Sequence, residues 1–219
     1  MAGRYSDGGR QRAAPRTASF GPSMKTLASV ASLLLAVACP LAAAPALKRE
    51  RPANLLVNAG FEDGPAFKVH KPLDAGSTEI TGWTVTRGQI DVVEEHDGTW
   101  KAADGRRSLD LHGSPGHGGV KQAFATRPGR KYRLTFHMSG NPGVGHEKVQ
   151  LAVEAAGQTK EFEVSMEGRT NEDLKWEKKA WEFTAADKVT ILELRTAMPP
   201  TTNGFGGPAI DEVTVFEVD

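Results

Sequence analysis

Two carboxylates near opposite ends of the chain have the surroundings of calcium ligands. Glu62 follows the glycine-bearing turn at Gly60, and Asp211 lies in the apolar strand pattern near the end of the chain. Calcium takes about six to eight oxygen ligands from carboxylates and backbone carbonyls. Because Asp211 shares a strand face with Val213 and Val215, we expect its carboxylate to point inward, where an uncompensated charge is costly. Glu62, Asp211 and the carbonyls near Gly60 therefore predict a structural calcium site.

The same two carboxylates have an alternative interpretation that needs no metal. In it, Asp211 accepts hydrogen bonds from backbone N–H groups, and Glu62 is a solvated turn residue. Zinc is not indicated, because the six histidines show no H-x-H or H-x₃-H spacing with a carboxylate. His112 and His117 flank a glycine-rich loop, which suggests a polar site, although an exposed turn is the simpler explanation.

Aromatic residues in polar loops are candidate sugar contacts. Trp100 lies in the polar segment 96–101, where burial is difficult, and an exposed indole can stack on the apolar face of a pyranose. The alternative is a tryptophan folded over the edge of the domain. Asn203 and Phe205, in the glycine-rich loop 198–208, are a second possible contact. Trp83, by contrast, follows Gly82 in an alternating segment and is expected in the core.

Catalytic groups lack the arrangement that chemistry would require. Glu161 and Glu163 alternate onto one solvated strand face, whereas a glycosidase needs two carboxyl groups about 5–9 Å apart across a cleft. The chain has no G-x-S-x-G motif, and its glycine clusters open no helix that could cradle a phosphate. These patterns predict a protein that is not an enzyme.

The elements that must position these residues are strands. Lys131–Met138 alternates strictly, with Tyr132, Leu134 and Phe136 on one face, as in a half-buried strand. About ten such runs follow Asn54, separated by Gly/Pro/Asn turns, and predict an all-β antiparallel sandwich. The single helix candidate is a short piece near residues 171–175. Strands are expected at 79–86, 88–94, 108–112, 120–125, 131–138, 149–153, 162–164, 176–184, 189–195 and 210–218.

Core positions and long loops follow from this strand assignment. Apolar strand positions expected in the core include Trp181, Phe183 and Ile191. Five long loops, which carry function in most sandwiches, are expected at residues 64–77, 96–107, 113–119, 140–146 and 198–208.

The first part of the chain has the layout of an export signal. An apolar run of 12 residues, 27–38, follows Lys25 and precedes small residues, which is typical of a secretory signal peptide and too short to span a bilayer. We expect a leader or misplaced start at 1–23, a signal peptide at 24–46, a linker at 47–53 and the domain at 54–218. Cys39 lies inside the signal, so the mature protein would lack disulfides. Alternatively, residues 36–39 form a lipoprotein box and Cys39 carries a lipid.

Charge excludes one class of partner. The 27 basic and 27 acidic side chains balance, but residues 1–46 hold five of the basic ones and a single acidic one. The remainder is therefore mildly acidic and has no electrostatic footprint for nucleic acid.

Several motifs together resemble a known family. They are N-L-L-V-N-A-G-F-E at 54–62, Gly82-Trp83, S-L-D-L at 108–111, Y-R-L-T-F at 132–136 and A-I-D-E-V at 209–213. As a set they resemble the choice-of-anchor C family, which is similar to the domain-of-unknown-function 642 proteins of plant cell walls. The resemblance covers residues 54–218 and implies a galactose-binding-like β-sandwich, or jelly roll, without an established reaction.

The resemblance also implies a partner. Galactose-binding-like sandwiches most often bind carbohydrate, so we expect a non-catalytic module, secreted or in the cell envelope, that binds a polysaccharide, a cell-surface glycan or another envelope component. The alternative is a structural or adhesive surface protein that acts through protein–protein contacts. The chain stops at Asp219 without the surface-sorting segment of some relatives, so free secretion, or attachment through Cys39, is expected.

Overall fold

The structure is a computed structural model that describes residue 21 and residues 53–114, 116–199 and 206–218. Residues 53–218 of this range build two antiparallel sheets that face each other. Eleven strands are described: β1 (His70–Asp74), β2 (Thr84–Arg87), β3 (Gln89–Glu94), β4 (Arg107–Asp110), β5 (Gly119–Ala125), β6 (Lys131–Gly140), β7 (Lys148–Ala155), β8 (Gln158–Ser165), β9 (Glu177–Thr184), β10 (Val189–Thr196) and β11 (Pro208–Val218). In the described part of the chain, one 3₁₀ turn covers Pro142–Val144.

The strand order places the two ends of the domain together. Sheet A has the order β1-β3-β4-β11-β6-β9, and sheet B has the order β2-β5-β10-β7-β8. The segment before β1 runs along the closing strand β11, because the Leu55 N–H donates to the Val215 carbonyl (2.8 Å) and the Val213 N–H donates to the Ala59 carbonyl (2.9 Å). The predicted all-β antiparallel sandwich is therefore confirmed.

The core lies between the sheets and follows the period-two alternation of the sequence. On β6, Tyr132, Leu134, Phe136 and Met138 are all at most 1% exposed, as predicted. Trp83 is also buried, and its indole N–H donates to the Asn58 carbonyl (3.0 Å). Alternation alone thus identified the inward face of this central strand, since successive side chains point to opposite faces.

Four predictions about elements and core positions were wrong. Residues 70–74, expected in a loop, form β1, and the strand expected at 79–86 begins only at Thr84. No helix forms at 171–175, where the described chain has turns and irregular backbone. Ile191 is 55% exposed, because the buried positions of β10 are the even-numbered ones, which include Leu192 and Leu194. Strand β10 has apolar residues at both odd and even positions, so alternation alone did not decide which set is buried. Pairing with β5 and β7 decided it.

A second apolar cluster covers the outer face of sheet A. Val93, Trp100, Leu174 and Ala209 are buried there, with Trp176 packed against them. Trp100 belongs to the connection between β3 and β4, whereas Leu174 and Trp176 belong to the connection between β8 and β9. Both connections therefore fold over the outer face of the sheet. No helix among the described residues is long and apolar enough to cross a membrane.

Candidate functional site

The outer face of sheet A supplies the floor of a cavity. On β3, Ile90 and Val92 are fully buried in the core between the sheets. The alternate residues Gln89, Asp91 and Val93 therefore face the other way, and all three line the cavity. The floor combines an amide, a carboxylate and an aliphatic side chain on one strand.

Strand register brings a second carboxylate next to Asp91. Asp91 lies directly opposite Asp110 on β4, and Val93 lies opposite Ser108. Directly opposed residues on antiparallel strands have Cβ atoms about 4.5–5.5 Å apart. On the other side of β3, the edge strand β1 places Pro72 opposite Asp91. Two acidic side chains on adjacent strands therefore share the cavity floor.

Loops from distant parts of the sequence build the walls. The cavity has a volume of about 600 Å³, within the range of about 300–1,000 Å³ that is usual for small-molecule sites. Four of the long loops expected to carry function contribute to it. The lining residues are Val69, His70, Pro72, Gln89, Asp91, Val93, Glu94, His96, Thr99, Trp100, Asp110, Ser114, Asn141, Gly143 and Asn171.

Asp110 is the buried member of the carboxylate pair. One oxygen accepts from the N–H groups of His112 (2.9 Å) and Gly207 (3.2 Å), and the other accepts from the Asn141 side-chain amide (2.9 Å). Burial raises the pKa of Asp110 to about 7, and the neighbouring Asp91 carboxylate adds to the increase, whereas the three hydrogen bonds oppose it. Asp110 thus ties three separate segments, at His112, Asn141 and Gly207, to the cavity floor.

Asp91 is the accessible member of the pair. Its side chain is half-buried, and no residue among those described forms a hydrogen bond or an ion pair with its carboxylate. Burial raises the pKa of Asp91 above its ordinary value, and the positive charge of His70 opposes that increase. Asp91 therefore offers two acceptor oxygens to whatever enters the cavity.

Trp100 lines the cavity but is not the exposed aromatic residue that we expected. It is 8% exposed, and its indole N–H donates to the Ser108 hydroxyl (2.9 Å). Its backbone N–H donates to the Asn171 carbonyl (2.6 Å) from a left-handed conformation with φ of 55°. The polar surroundings in sequence suggested exposure, but packing against Val93 and Leu174 buries most of the ring. Trp100 nevertheless contributes to the lining of the cavity.

Glu62 and Asp211 are brought together by one loop. The Glu62 Oε1 atom accepts from the N–H groups of Arg106 (2.7 Å) and Arg107 (2.9 Å). The Asp211 Oδ2 atom accepts from the N–H groups of Ala103 (2.8 Å) and Asp104 (2.9 Å). Both carboxylates therefore hold the backbone of the segment 103–107, which leads from Trp100 into β4.

Asp211 reaches this position through an irregularity in β11. The pairing of β11 with β6 shifts register between Asp211 and Thr214, and Glu212 has a φ of 48°. The expectation that Asp211 shares a face with Val213 was therefore wrong: Ile210, not Asp211, joins Val213 in the main core. Asp211 is nevertheless fully buried. Burial raises its pKa to about 7, and the Glu62 charge adds to this, while hydrogen bonds from Asp104, Glu212 and Ala103 oppose it.

A calcium ion at these residues would need ligands besides the two carboxylates. Among the described residues no group of three or more His, Cys, Asp or Glu side chains could hold a metal ion, so a cage would need backbone carbonyls beside the two carboxylates. Gly60 does lie beside them, because a Cβ added there would be 3.6 Å from Asp211 Oδ1. Calcium at Glu62, Asp211 and Gly60 stays a prediction.

The remaining predicted residues have different outcomes. Asn203, Phe205 and Cys39, like the signal segment 24–46, lie outside the described residues. Glu161 and Glu163 are both exposed on β8, as predicted. His112 is not in an exposed turn: it is 1% exposed and its ring centroid lies 4.7 Å from that of His117.

Sequence reasoning missed Asp91, Gln89 and Asn141 as a group. The available signal was the alternation of β3, in which Gln89 and Asp91 are polar residues on the face opposite Ile90 and Val92. That pattern marks a solvated strand face as readily as a site. Only the loops that fold over sheet A turn this face into a cavity.

The fold and this site define an antiparallel β-sandwich with a cavity on the outer face of one sheet. Residues 54–216 match the family described as "Protein of unknown function (DUF642)", and the chain belongs to this family. A curated relative is halomucin of Haloquadratum walsbyi (strain DSM 16790 / HBSQ001), which is 30% identical over 168 residues. That alignment covers 75% of this chain, which spans about 2% of the length of halomucin.

Solved structures with a similar fold include carbohydrate-binding modules. TmCBM61, solved in complex with β-1,4-galactotriose, is 20% identical, with a TM-score of 0.45 over 76% of this chain and 99% of that module. A xylan-binding domain of family 22 is 16% identical, with a TM-score of 0.43 over 73% of this chain and 96% of that domain. A family 35 module from Clostridium thermocellum is 10% identical, with a TM-score of 0.42 over 68% and 99%.

Proposed function

We propose that this protein is an exported, non-catalytic module that binds a glycan in the cavity on the outer face of sheet A. The observation that carries the proposal is the composition of the cavity. One side offers apolar surface from Pro72, Val93 and Trp100, and the other offers polar groups from Asp91 and Gln89. A pyranose ring has the same two-sided character, because its C–H groups form apolar patches while its hydroxyl groups donate and accept hydrogen bonds.

The polar groups on the floor suit sugar hydroxyls. When it is ionised, the Asp91 carboxylate can only accept hydrogen bonds. The Gln89 side chain offers both an acceptor and donors. The Gln89 amide is already oriented, because it donates to the Asp74 carboxylate (2.8 Å) and its oxygen accepts from the Ser114 N–H (3.1 Å). Oriented side chains reduce the entropy lost on binding.

The carboxylate pair suits binding better than glycoside hydrolysis. Asp110 is 2% exposed, and both its oxygens accept hydrogen bonds from within the protein. A general acid or nucleophile must instead approach the scissile bond directly. Asp110 therefore positions the loops around it, and Asp91 alone is presented to the ligand.

Export is part of the proposal and rests on residues 24–46. Mass spectrometry of protein purified from its native cells is expected to show a new N-terminus close to residue 45 or 47. An N-terminal Cys39 with an added lipid mass would support the lipoprotein alternative. A protein that retains Met1 or Met24 inside the cell would contradict export.

The binding experiment uses the full chain with β-1,4-galactotriose, xylan and cello-oligosaccharides, measured by calorimetry. Saturable binding to at least one of them is expected. Asp91→Ala should weaken that affinity by about tenfold or more, because a hydrogen bond to an ionised group contributes about 1.5–3 kcal/mol. Gln89→Ala should weaken the affinity by a smaller factor, because the amide is neutral.

A matched control lies on the opposite sheet. Lys121 is exposed on β5 of sheet B, so Lys121→Ala should leave the affinity unchanged. Thermal melts of each variant show whether the fold is intact. Absence of binding to every glycan tested would overturn the carbohydrate function and favour a protein partner. Release of reducing sugar that Asp91→Asn abolishes would overturn the non-catalytic role.

A further inference from the structure

The charges that face the cavity are unbalanced. Of its three carboxylates, Glu94 is neutralised by ion pairs with Arg106 (3.1 Å) and Arg107 (3.2 Å). Asp91 and Asp110, on adjacent strands, have no Lys or Arg partner among the described residues. No Lys or Arg is among the described residues that line the cavity.

Among the described residues, two histidines are the only other titratable side chains that line the cavity. His70 comes from β1, beside β3, and its positive charge acts on Asp91 when the imidazole is protonated. His96 comes from the connection between β3 and β4 and already pairs with Asp97 (3.0 Å). The floor therefore presents the Asp91 carboxylate to a ligand without a lysine or arginine among the described lining residues to balance its charge.

We infer that the cavity selects uncharged sugars and excludes uronates, an inference that rests on the proposed function. A sugar hydroxyl can donate to the Asp91 carboxylate, whereas the carboxylate of a uronate can only accept and would face an acceptor of the same charge. Like charges in a partly buried site are screened less than at the surface. The exclusion should therefore be electrostatic and should depend on Asp91.

The test compares sugars that differ only in whether each primary hydroxyl group is replaced by a carboxylate. Hexasaccharides of β-1,4-galactan and β-1,4-glucan are measured beside the same compounds after oxidation of each primary hydroxyl to a carboxylate. With the full chain at about pH 8 and low salt, the oxidised compounds should bind at least about tenfold more weakly than their neutral counterparts. Added salt should narrow that ratio, because it screens the repulsion.

Two variants test whether the Asp91 carboxylate causes the charge selectivity. Asp91→Asn keeps the size of the side chain and removes its charge, so it should bring the affinities of the neutral and oxidised compounds closer together. Glu161→Gln removes one charge from an exposed position on β8 and should leave the ratio unchanged. Thermal melts confirm that both variants are folded.

Each outcome decides one claim. If neutral and oxidised compounds bind equally, or the oxidised ones bind more tightly, the charge selectivity is wrong and glycan binding stands. If the ratio persists in Asp91→Asn, the selectivity does not come from this carboxylate and the inference is also wrong. If neither series binds, the proposed function fails and the inference fails with it.

Discussion

At the residue scale, two neighbouring aspartates have different roles because their surroundings differ. Asp110 is buried and accepts hydrogen bonds from His112, Gly207 and Asn141, so it organises the loops above it. Asp91 faces the cavity without a partner among the described residues. Burial, rather than residue type, distinguishes Asp110, which positions the loops, from Asp91, which we propose binds the ligand.

Asp110 should make the protein less stable as the pH rises from acid to neutral. Its pKa is raised from 3.8 to about 7, so between these values the native state holds more protons than the unfolded state, and the free energy of unfolding falls with increasing pH. Asp110→Asn should reduce the total fall in the free energy of unfolding between these pH values by an amount on the order of a few kcal/mol. Urea unfolding at several pH values measures the slope.

Glu163 provides a control of opposite sign. Its pKa is lowered, mainly by a hydrogen bond from Lys148, so any stability it contributes is present above the unfolded pKa and is lost as the pH falls. Glu163→Gln should therefore leave the decline towards neutral pH in place. Equal slopes for Asp110→Asn and the unsubstituted protein would show that Asp110 ionises like an ordinary aspartate.

At the element scale, the connection between β8 and β9 matters because it supports the cavity wall. Leu174 from this connection packs with Trp100 on the outer face of sheet A. The connection is held by Arg169, whose side chain is 4% exposed. Its guanidinium donates to the carbonyls of Ser165, Leu174 and Lys175. An irregular segment of the chain is thereby fixed by one cation.

Arg169→Ala should lower the free energy of unfolding by about 3 kcal/mol or more, because it removes a donor from each of three carbonyls and leaves Glu177 without its buried partner. Denaturant unfolding measures the loss. Arg133→Ala is the matched control: it removes an exposed ion pair with Glu182 and should cost less than about 1 kcal/mol. Similar losses for the two variants would contradict a supporting role for Arg169.

At the scale of the whole molecule, the fold joins the two ends of the domain and uses them to hold a loop near the site. Glu62 precedes β1, and Asp211 lies in β11, yet both accept N–H groups of the segment 103–107. That segment connects Trp100 to β4 and its Asp110. The two ends of the domain therefore help to fix the position of a segment that adjoins the cavity-lining residue Trp100.

Calcium should raise the melting temperature without being required for folding. The apolar core forms from side chains alone, and an ion that binds only the folded state adds roughly 2.7 kcal/mol at a hundredfold excess over its Kd. Melts of the full chain with calcium and with a chelator measure the difference, which Asp211→Ala should abolish. Equal melting temperatures in both conditions, with Asp211→Ala still destabilising, would show that Asp211 acts through hydrogen bonds alone.

The sequence by itself determined the β-sandwich and most of its core, because alternation is a local property that burial imposes on each strand. It also marked the long loops, four of which surround the cavity. The tertiary structure decided what alternation could not. The register of β3 with β4 placed Asp91 beside Asp110, a bulge removed Asp211 from the face of Val213, and packing against Leu174 buried Trp100. Each of these depends on contacts between segments far apart in the chain, which no local pattern of residue types specifies.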